Sequence, residues 1–139
     1  MKKANVYLTF DGNCKQAVSF YQQCLGGQLD VMTFGEAKGV PGIKPESKDR
    51  IMHAVLTTGP AVIMASDSMP GMPFQQGNNV SISIDCETEE EIDRLFQKFS
   101  KNGKITMPLD HAFWGAKFGM IIDQFGVHWM FNFDKPGAK

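Results

Sequence analysis

The segment Asn5-Val6-Tyr7-Leu8-Thr9-Phe10-Asp11 decides the fold that the sequence predicts, because Asn79-Val80-Ser81-Ile82-Ser83-Ile84-Asp85 repeats its pattern. Polar and apolar residues alternate in both segments, which is typical of a strand with one buried face. A pattern that recurs within one chain indicates duplicated structural units. The residues that follow each segment should therefore repeat as well.

A helical pattern follows each of these strands. The first helix is predicted over residues 13–25, and Gly26-Gly27 ends it. The second follows Thr88 and Glu91, which have the spacing of a capping box, and Asn102-Gly103 ends it. The apolar positions of the two helices coincide when the two strand segments are aligned, which supports a duplication.

Three further strand patterns follow each helix. They cover residues 28–35, 51–58 and 61–67, then 104–109, 116–123 and 127–133. The residues from 36 to 50 are rich in Gly, Pro and Lys and are predicted to form a loop. The order βαβββ thus occurs twice.

We expect an α+β fold in which two βαβββ modules form a curved mixed sheet with a cup. The predicted organisation is a single domain over residues 1–139, with module one at 1–67, a linker at 68–77 and module two at 78–134. A chain of this length is sufficient to bury one sizeable core.

The composition gives little reason to expect a polyanionic partner. The 14 basic and 15 acidic side chains leave a formal net charge of -1, so we expect neither nucleic acid nor a membrane as partner. No apolar run reaches the roughly 20 residues that a membrane span needs. Three cysteines without metal-type spacing indicate free thiols and a cytoplasmic protein.

Alternation assigns the strand side chains to two faces. The face predicted to pack against helices contains Val6, Leu8, Phe10, Val80, Ile82, Ile84, Trp129, Phe131 and Phe133. The opposite face, which would line the cup, contains Asn5, Tyr7, Thr9, His53, Met64, Asn79, Ser81, His128, Met130 and Asn132. A concave surface with a few hydrogen-bonding groups is typical of small-molecule sites, although a solvated sheet face has the same alternation.

The order of several short motifs identifies a family resemblance over nearly the whole chain. The motifs are Tyr7-Leu8-Thr9-Phe10-Asp11-Gly12-Asn13, Phe20-Tyr21, Leu25-Gly26-Gly27, Met52-His53-Ala54, Met64-Ala65-Ser66-Asp67, Met107-Pro108-Leu109, Phe113-Trp114-Gly115, Phe118-Gly119, Asp123-Gln124-Phe125-Gly126 and Trp129. In this order they resemble the PhnB-like branch of the glyoxalase/bleomycin resistance/extradiol dioxygenase (vicinal oxygen chelate) superfamily.

The resemblance implies a homodimer and either metal-dependent chemistry or drug sequestration in the cup. The positions that hold metal in metal-using members look like Asn5, Met64, Asn79 and Met130 in this sequence. Amides and thioethers are poor ligands for catalytic Ni, Zn or Fe, which need imidazole or carboxylate. We therefore expect no metal at the usual positions and predict no cofactor, although a divalent metal could bind elsewhere.

Proteins of this branch are also catalogued as 3-demethylubiquinone 3-methyltransferases. A site for S-adenosylmethionine would normally include a Gly-rich turn between a strand and a helix. The pair Gly26-Gly27 instead follows the end of a helix. The sequence therefore gives no physical support for methyl transfer.

Individual candidates each have a structural alternative. His53, Asp67 and His128 are the candidate catalytic residues, but His53 could hydrogen-bond within the sheet and Asp67 could cap a turn. The candidate ligand-binding residues are Tyr7, Thr9, His53, Ser81, Trp114, His128 and Asn132. Asp110-His111 is predicted to lie in a loop over the cup, and Trp114 could cover a ligand or pack.

Two functions follow from these patterns. The first is a protein that binds a small molecule in the cup without the usual metal site. The alternative is an enzyme with a displaced active site near His53, Asp67 and His128, with or without metal. A third class, a module that binds other proteins, has no signal beyond the expected self-association.

Overall fold

A computed structural model of the chain describes residues 1–37 and 41–136. Its elements are β1 (Val6–Phe10), α1 (Cys14–Leu25), β2 (Gln28–Thr33), a 3-10 turn (Pro45–Ser47), β3 (Ile51–Thr58), β4 (Ala61–Asp67), β5 (Ser81–Asp85), α2 (Glu89–Phe99), β6 (Lys104–His111), β7 (Ala116–Ile122) and β8 (His128–Asp134). The predicted α+β order, βαβββ twice, is confirmed.

The chain consists of two compact units, and the boundary lies between Gln75 and Gln76. From here, module one means residues 1–75 and module two means residues 76–139. Each module contains one four-stranded sheet and one helix. That both modules form a single domain stays a prediction.

Module one has the strand order β1-β4-β3-β2, in which β1 is parallel to β4 and the remaining pairs are antiparallel. The turn at Gly59-Pro60 joins β3 to β4 and places Val55 opposite Met64. Helix α1 covers one face of the sheet with a buried stripe. The stripe consists of Cys14, Ala17, Val18, Tyr21 and Cys24. The other face of this sheet is the open face of module one.

Module two repeats this topology with the order β5-β8-β7-β6. Its core is aromatic: Phe99 of α2 lies 4.5 Å from Trp129 and 5.3 Å from Phe131, measured between ring centroids. Gly119 permits the close approach of α2, because a Cβ there would lie 2.6 Å from the Phe96 ring. Each fully buried aromatic ring contributes about 1.5–3 kcal/mol from apolar burial. The sheet side away from α2 is the open face of module two.

The start of β5 differs from the prediction. Val80 was expected to pack against a helix, but β5 begins at Ser81 and Val80 is 75% exposed. The reason lies in the partner strand, which begins only at His128 and pairs with Ser81. Asn79 therefore precedes β5, and Asn5 precedes β1 in the same way.

The predicted loop at Asp110-His111 is wrong. Both residues belong to β6, where they pair with Phe118 and Lys117 of β7. Irregular pairing on both sides of Met107 lengthens β6 beyond the predicted strand, so the connection to β7 is only the short turn at Ala112–Gly115. A β-bulge allows such an extension because it absorbs an extra residue without ending the ladder.

Smaller differences concern element ends and partial burial. Strand β2 ends at Thr33 and α2 ends at Phe99, earlier than predicted, and Phe133 and Leu25 are only half-buried. Part of the predicted loop at 36–50, residues 38–40, lies outside the described residues. Among the described helices, neither combines the length and the apolarity that crossing a membrane requires.

Candidate functional site

A hydrogen-bonded aromatic pair stands on the open face of module one. The hydroxyl of Tyr7 lies 3.1 Å from Nδ1 of His53, and the two rings stack with centroids 5.8 Å apart. Tyr7 is on β1 and His53 on β3, so the contact spans the intervening strand β4. Tyr7 nevertheless remains 48% exposed. The pair is therefore held in one geometry while still accessible to a ligand.

The pairing has a consequence for the imidazole. A phenol hydroxyl that donates to Nδ1 requires the neutral tautomer of His53 in which Nε2 carries the proton. Nε2–H is then available as a donor. Together the two residues offer an aromatic surface and at least one hydrogen-bonding atom on the open face.

Neighbouring strands add soft and polar side chains to the same face. Met64 lies beside Tyr7, Ser66 lies beside Thr9, and Met32 lies opposite His53. Met32 is 45% exposed, although the sequence analysis did not single it out. The available signal was its alternating position in β2, which places it on the same face as Gln28 and Asp30.

Asp67 is not on this face, because its carboxylate is buried and bonded to backbone amides. Oδ1 accepts the N–H groups of Gly12 and Cys14, and Oδ2 accepts that of Ile51. These bonds satisfy amides at the start of α1 and of β3. Of the two roles that the sequence left open for Asp67, the structure supports the structural one.

The open face of module two contains the remaining strand candidates. His128 lies beside Ser81, Met130 beside Ser83, and Asn132 beside Asp85. The Asn132 amide donates to Asp85 at 3.3 Å and to Asp134 at 3.2 Å. His128 is half-buried at the first position of β8.

Trp114 lies in the turn between β6 and β7. Its ring packs edge-on against Phe113 and against Phe118, with centroids 5.0 and 5.7 Å away. Trp114 is 41% exposed and Phe113 is 98% exposed. Both roles predicted for Trp114, packing and contact with a ligand, are compatible with this position.

Asp123 fixes the turn before β8 through hydrogen bonds of its carboxylate. Its Oδ1 accepts the N–H groups of Phe125 and Val127, and its Oδ2 accepts Nε1–H of Trp129 at 2.8 Å. The carboxylate of Asp123 thus joins a surface turn to the buried indole of Trp129. This residue supports the fold rather than the chemistry.

Two of the three cysteines are poorly suited as nucleophiles. Cys14, Cys24 and Cys86 are all buried and form no disulfide. Burial, assisted by the negative charge of Asp67, raises the pKa of Cys14 to about 12. Burial, with Glu91 and Asp85 as further causes, raises the pKa of Cys86 to about 12. Both thiols are therefore protonated at neutral pH, whereas nucleophilic attack needs the thiolate.

The donor set at the superfamily's metal positions does not fit a catalytic Ni, Zn or Fe ion. Asn5 and Asn79 offer amides that precede their strands, and Met64 and Met130 offer thioethers. Within residues 1–37 and 41–136, no three His, Cys, Asp or Glu side chains are grouped as metal ligands. The ions of this class prefer imidazole and carboxylate, so these amides and thioethers are poor ligands for them.

Comparison with known proteins agrees over most of the chain. The sequence model of the family described as 3-demethylubiquinone-9 3-methyltransferase matches residues 2–131. Protein YjdN from Escherichia coli (strain K12) is 36% identical over an alignment of 136 residues that covers 91% of this chain and 91% of that one. The structure of PA1353 from Pseudomonas aeruginosa is 41% identical, with a TM-score of 0.86 over 96% of this chain and 98% of that one.

Two further structures support the family and the fold. A PhnB protein from Bacillus cereus is 30% identical, with a TM-score of 0.76 over 95% of this chain and 99% of that one. A glyoxalase/bleomycin resistance protein/dioxygenase family enzyme from Burkholderia phytofirmans shares the fold alone, at 17% identity and a TM-score of 0.62. The chain therefore belongs to the family described as 3-demethylubiquinone-9 3-methyltransferase, and it shares the fold of glyoxalase/bleomycin resistance/dioxygenase proteins.

Proposed function

We propose that this protein binds a small molecule on its open sheet faces and does so without the superfamily's usual metal site. One observation supports the proposal most: the Tyr7–His53 pair, which is fixed by a 3.1 Å hydrogen bond yet exposed on the open face of module one. Small-molecule sites combine an apolar surface with a few well-placed polar groups. The pair supplies both, and Met64 and Met32 add adaptable apolar contact.

The proposed contacts in module two are His128, Ser81 and Asn132, with Trp114 in the adjoining turn. They are proposed because their positions on β5 and β8 repeat those of the first module. On the open face of module one, Thr9 of β1 lies beside β4. On the open face of module two, Ser81 of β5 lies beside β8 in the same way. The homodimer that the resemblance implies and the cytoplasmic location remain predictions.

The alternative, an enzyme with a displaced site near His53, Asp67 and His128, has less support. Both oxygens of Asp67 accept backbone N–H groups, so this carboxylate has no role as a general base without breaking the start of α1. A general base must also reach the proton that it removes. What remains for catalysis are the imidazoles of His53 and His128 and the hydroxyl of Tyr7.

Methyl transfer, which the family's description names, is not part of the proposal. S-adenosylmethionine would need free backbone N–H groups at a strand-to-helix turn. At the turn after β1, the amides of Gly12 and Cys14 already bond Asp67. At the turn after β5, the amide of Glu91 bonds Thr88. The residues present therefore do not fit this cofactor.

The test starts with native mass spectrometry of protein taken directly from cells. We expect a co-purified small molecule whose occupancy falls in Tyr7→Phe and in His53→Gln. Thr57→Ala is the matched control, because Thr57 is exposed on the same strand as His53. Activity that one added divalent metal restores and a chelator abolishes would contradict the proposal, and so would equal occupancy in all three variants.

A further inference from the structure

Three methionines form one continuous row across the open face of module two. Met107 on β6 lies opposite Met120 on β7, and Met120 lies opposite Met130 on β8. Neighbouring strands are about 4.8 Å apart, so the outer two backbones of the row are roughly 10 Å apart with Met120 between them. We call Met107, Met120 and Met130 the methionine row.

The row depends on an irregularity in β6. Ile105 pairs with Ile121, so regular antiparallel pairing would place Thr106 opposite Met120. A register shift between Ile105 and Met107 instead brings Met107 to that position. Bulges commonly redirect a side chain at a functional site. Here the shift replaces a hydroxyl with a third thioether.

All three side chains are accessible to solvent. Met107 is 46% exposed, and Met120 and Met130 are half-buried. Methionines that only fill a core would be fully buried. Gly119 and Ile121, which flank Met120 on β7, are buried on the helix side, so Met120 points to the opposite side. The row is thus separate from the core of module two, and its sulfur atoms are on the side that α2 does not cover.

We propose that the methionine row binds a soft monovalent d¹⁰ cation, Cu(I), through its three thioethers. Thioethers select Cu(I) over the hard and borderline ions of the superfamily. A methionine side chain has three rotatable bonds, so the outer two can lean toward the one between them. The proposal concerns binding only, and no electron is transferred.

Thioether ligation has a distinctive dependence on pH. A thioether carries no proton between about pH 5 and pH 8, so protons do not compete with the cation for the three sulfur atoms. Cysteine sites must lose a proton to bind metal, and burial raises the pKa of Cys14 and Cys86 to about 12. Acid would weaken binding at those thiols, and this difference separates the two kinds of site.

The experiment uses Ag(I), which shares the soft d¹⁰ character and does not change oxidation state. Full-length protein labelled with ¹³C in its methionine methyl groups is titrated at pH 5 and pH 8, and signals are assigned with single Met→Leu variants. We expect the Met107, Met120 and Met130 signals to shift together with one midpoint near one equivalent at both pH values. Met120→Leu, which conserves volume, should abolish the shifts of the other two.

Met52→Leu is the matched control, because Met52 is a half-buried methionine on strand β3 of module one. It should leave the three shifts unchanged. Met107→Leu, at an exposed position of the edge strand β6, repeats the test where folding is not at risk. Separate midpoints for the three signals would overturn the proposal, as would full response of Met107 and Met130 in the Met120→Leu variant.

Discussion

The two modules have the same order of elements but begin their helices by different means. In module two the start of α2 is capped locally: Thr88 Oγ1 accepts the N–H of Glu91, and the Glu91 carboxylate accepts the N–H of Glu87. In module one Asn13 makes no side-chain cap to α1. The carboxylate of Asp67, at the end of β4, accepts the N–H groups of Gly12 and Cys14 instead.

This difference separates local from long-range stabilisation. A capping box needs only four consecutive residues, so it forms as soon as the helix does. The bonds to Asp67 need β4 to be paired beside β1, because 53 residues separate Asp67 from Cys14. The start of α1 is therefore tied to the sheet of module one, whereas the start of α2 is not.

Replacing Asp67 should have the largest effect on stability. In Asp67→Asn the amide group must face the N–H of Gly12 and Cys14 or that of Ile51, so at least one buried donor is left without an acceptor. The negative charge near the start of α1 is also lost. We expect the free energy of unfolding to fall by about 3 kcal/mol, measured by urea denaturation.

The control for this prediction is Asp11→Asn, which changes an exposed carboxylate in the same turn. Asp11 bonds Arg50 at 3.1 Å, but its side chain is 61% exposed, so the expected loss is below about 1 kcal/mol. Equal losses in Asp67→Asn and Asp11→Asn would show that the buried carboxylate does not tie α1 to the sheet.

Replacing Asp123 should rank second. Asp123→Asn keeps one oxygen for the amides of Phe125 and Val127 but turns an amide group toward Nε1–H of Trp129. No helix start is involved, so we expect a smaller loss of about 2 kcal/mol. Trp129 fluorescence in a Trp114→Phe background measures it, since only the buried indole then reports unfolding. If Asp123→Asn lowered the free energy of unfolding more than Asp67→Asn, the proposed ranking of the two buried carboxylates would be wrong.

The same distinction explains how much of the fold and site could be predicted from the sequence. Local patterns, such as the alternation in β1 and the Thr88–Glu91 spacing, predicted the element order and the start of α2 correctly. The role of Asp67 and the pairing of Tyr7 with His53 depend on which strands become neighbours, so the sequence left them open. Val80 was misplaced for a related reason: the strand that would have paired with it starts one residue too late.

The methionine row shows a further limit of reading alternation along one strand. Met130 was assigned to the open face from its own strand, but Met107 faces Met120 only because β6 is irregular. A bulge inverts the parity of every residue beyond it. Met107 was therefore not among the predicted site residues, and Met120 was missed because no faces were assigned for β7 from the sequence.

The local cap in module two should contribute less than either buried carboxylate. Thr88→Ala removes the acceptor of the Glu91 N–H at the solvent-exposed start of α2, where water can replace it. We expect a loss of about 1 kcal/mol in urea denaturation, with Thr88→Ser within a few tenths of the wild type because serine caps equally well. If Thr88→Ala cost as much as Asp67→Asn, the local and long-range caps would not differ in the way described.

Removing the Tyr7 hydroxyl should change stability least. The hydroxyl and Nδ1 of His53 are both accessible to water, which can replace their hydrogen bond in Tyr7→Phe. We therefore expect the free energy of unfolding to change by less than about 0.5 kcal/mol. The imidazole should respond instead, because Nδ1 loses its hydrogen-bond partner, and the ¹⁵N shift of Nδ1 should change. A large loss of stability with unchanged ¹⁵N shifts would make the pair a structural contact and remove the main support for a ligand site on this face.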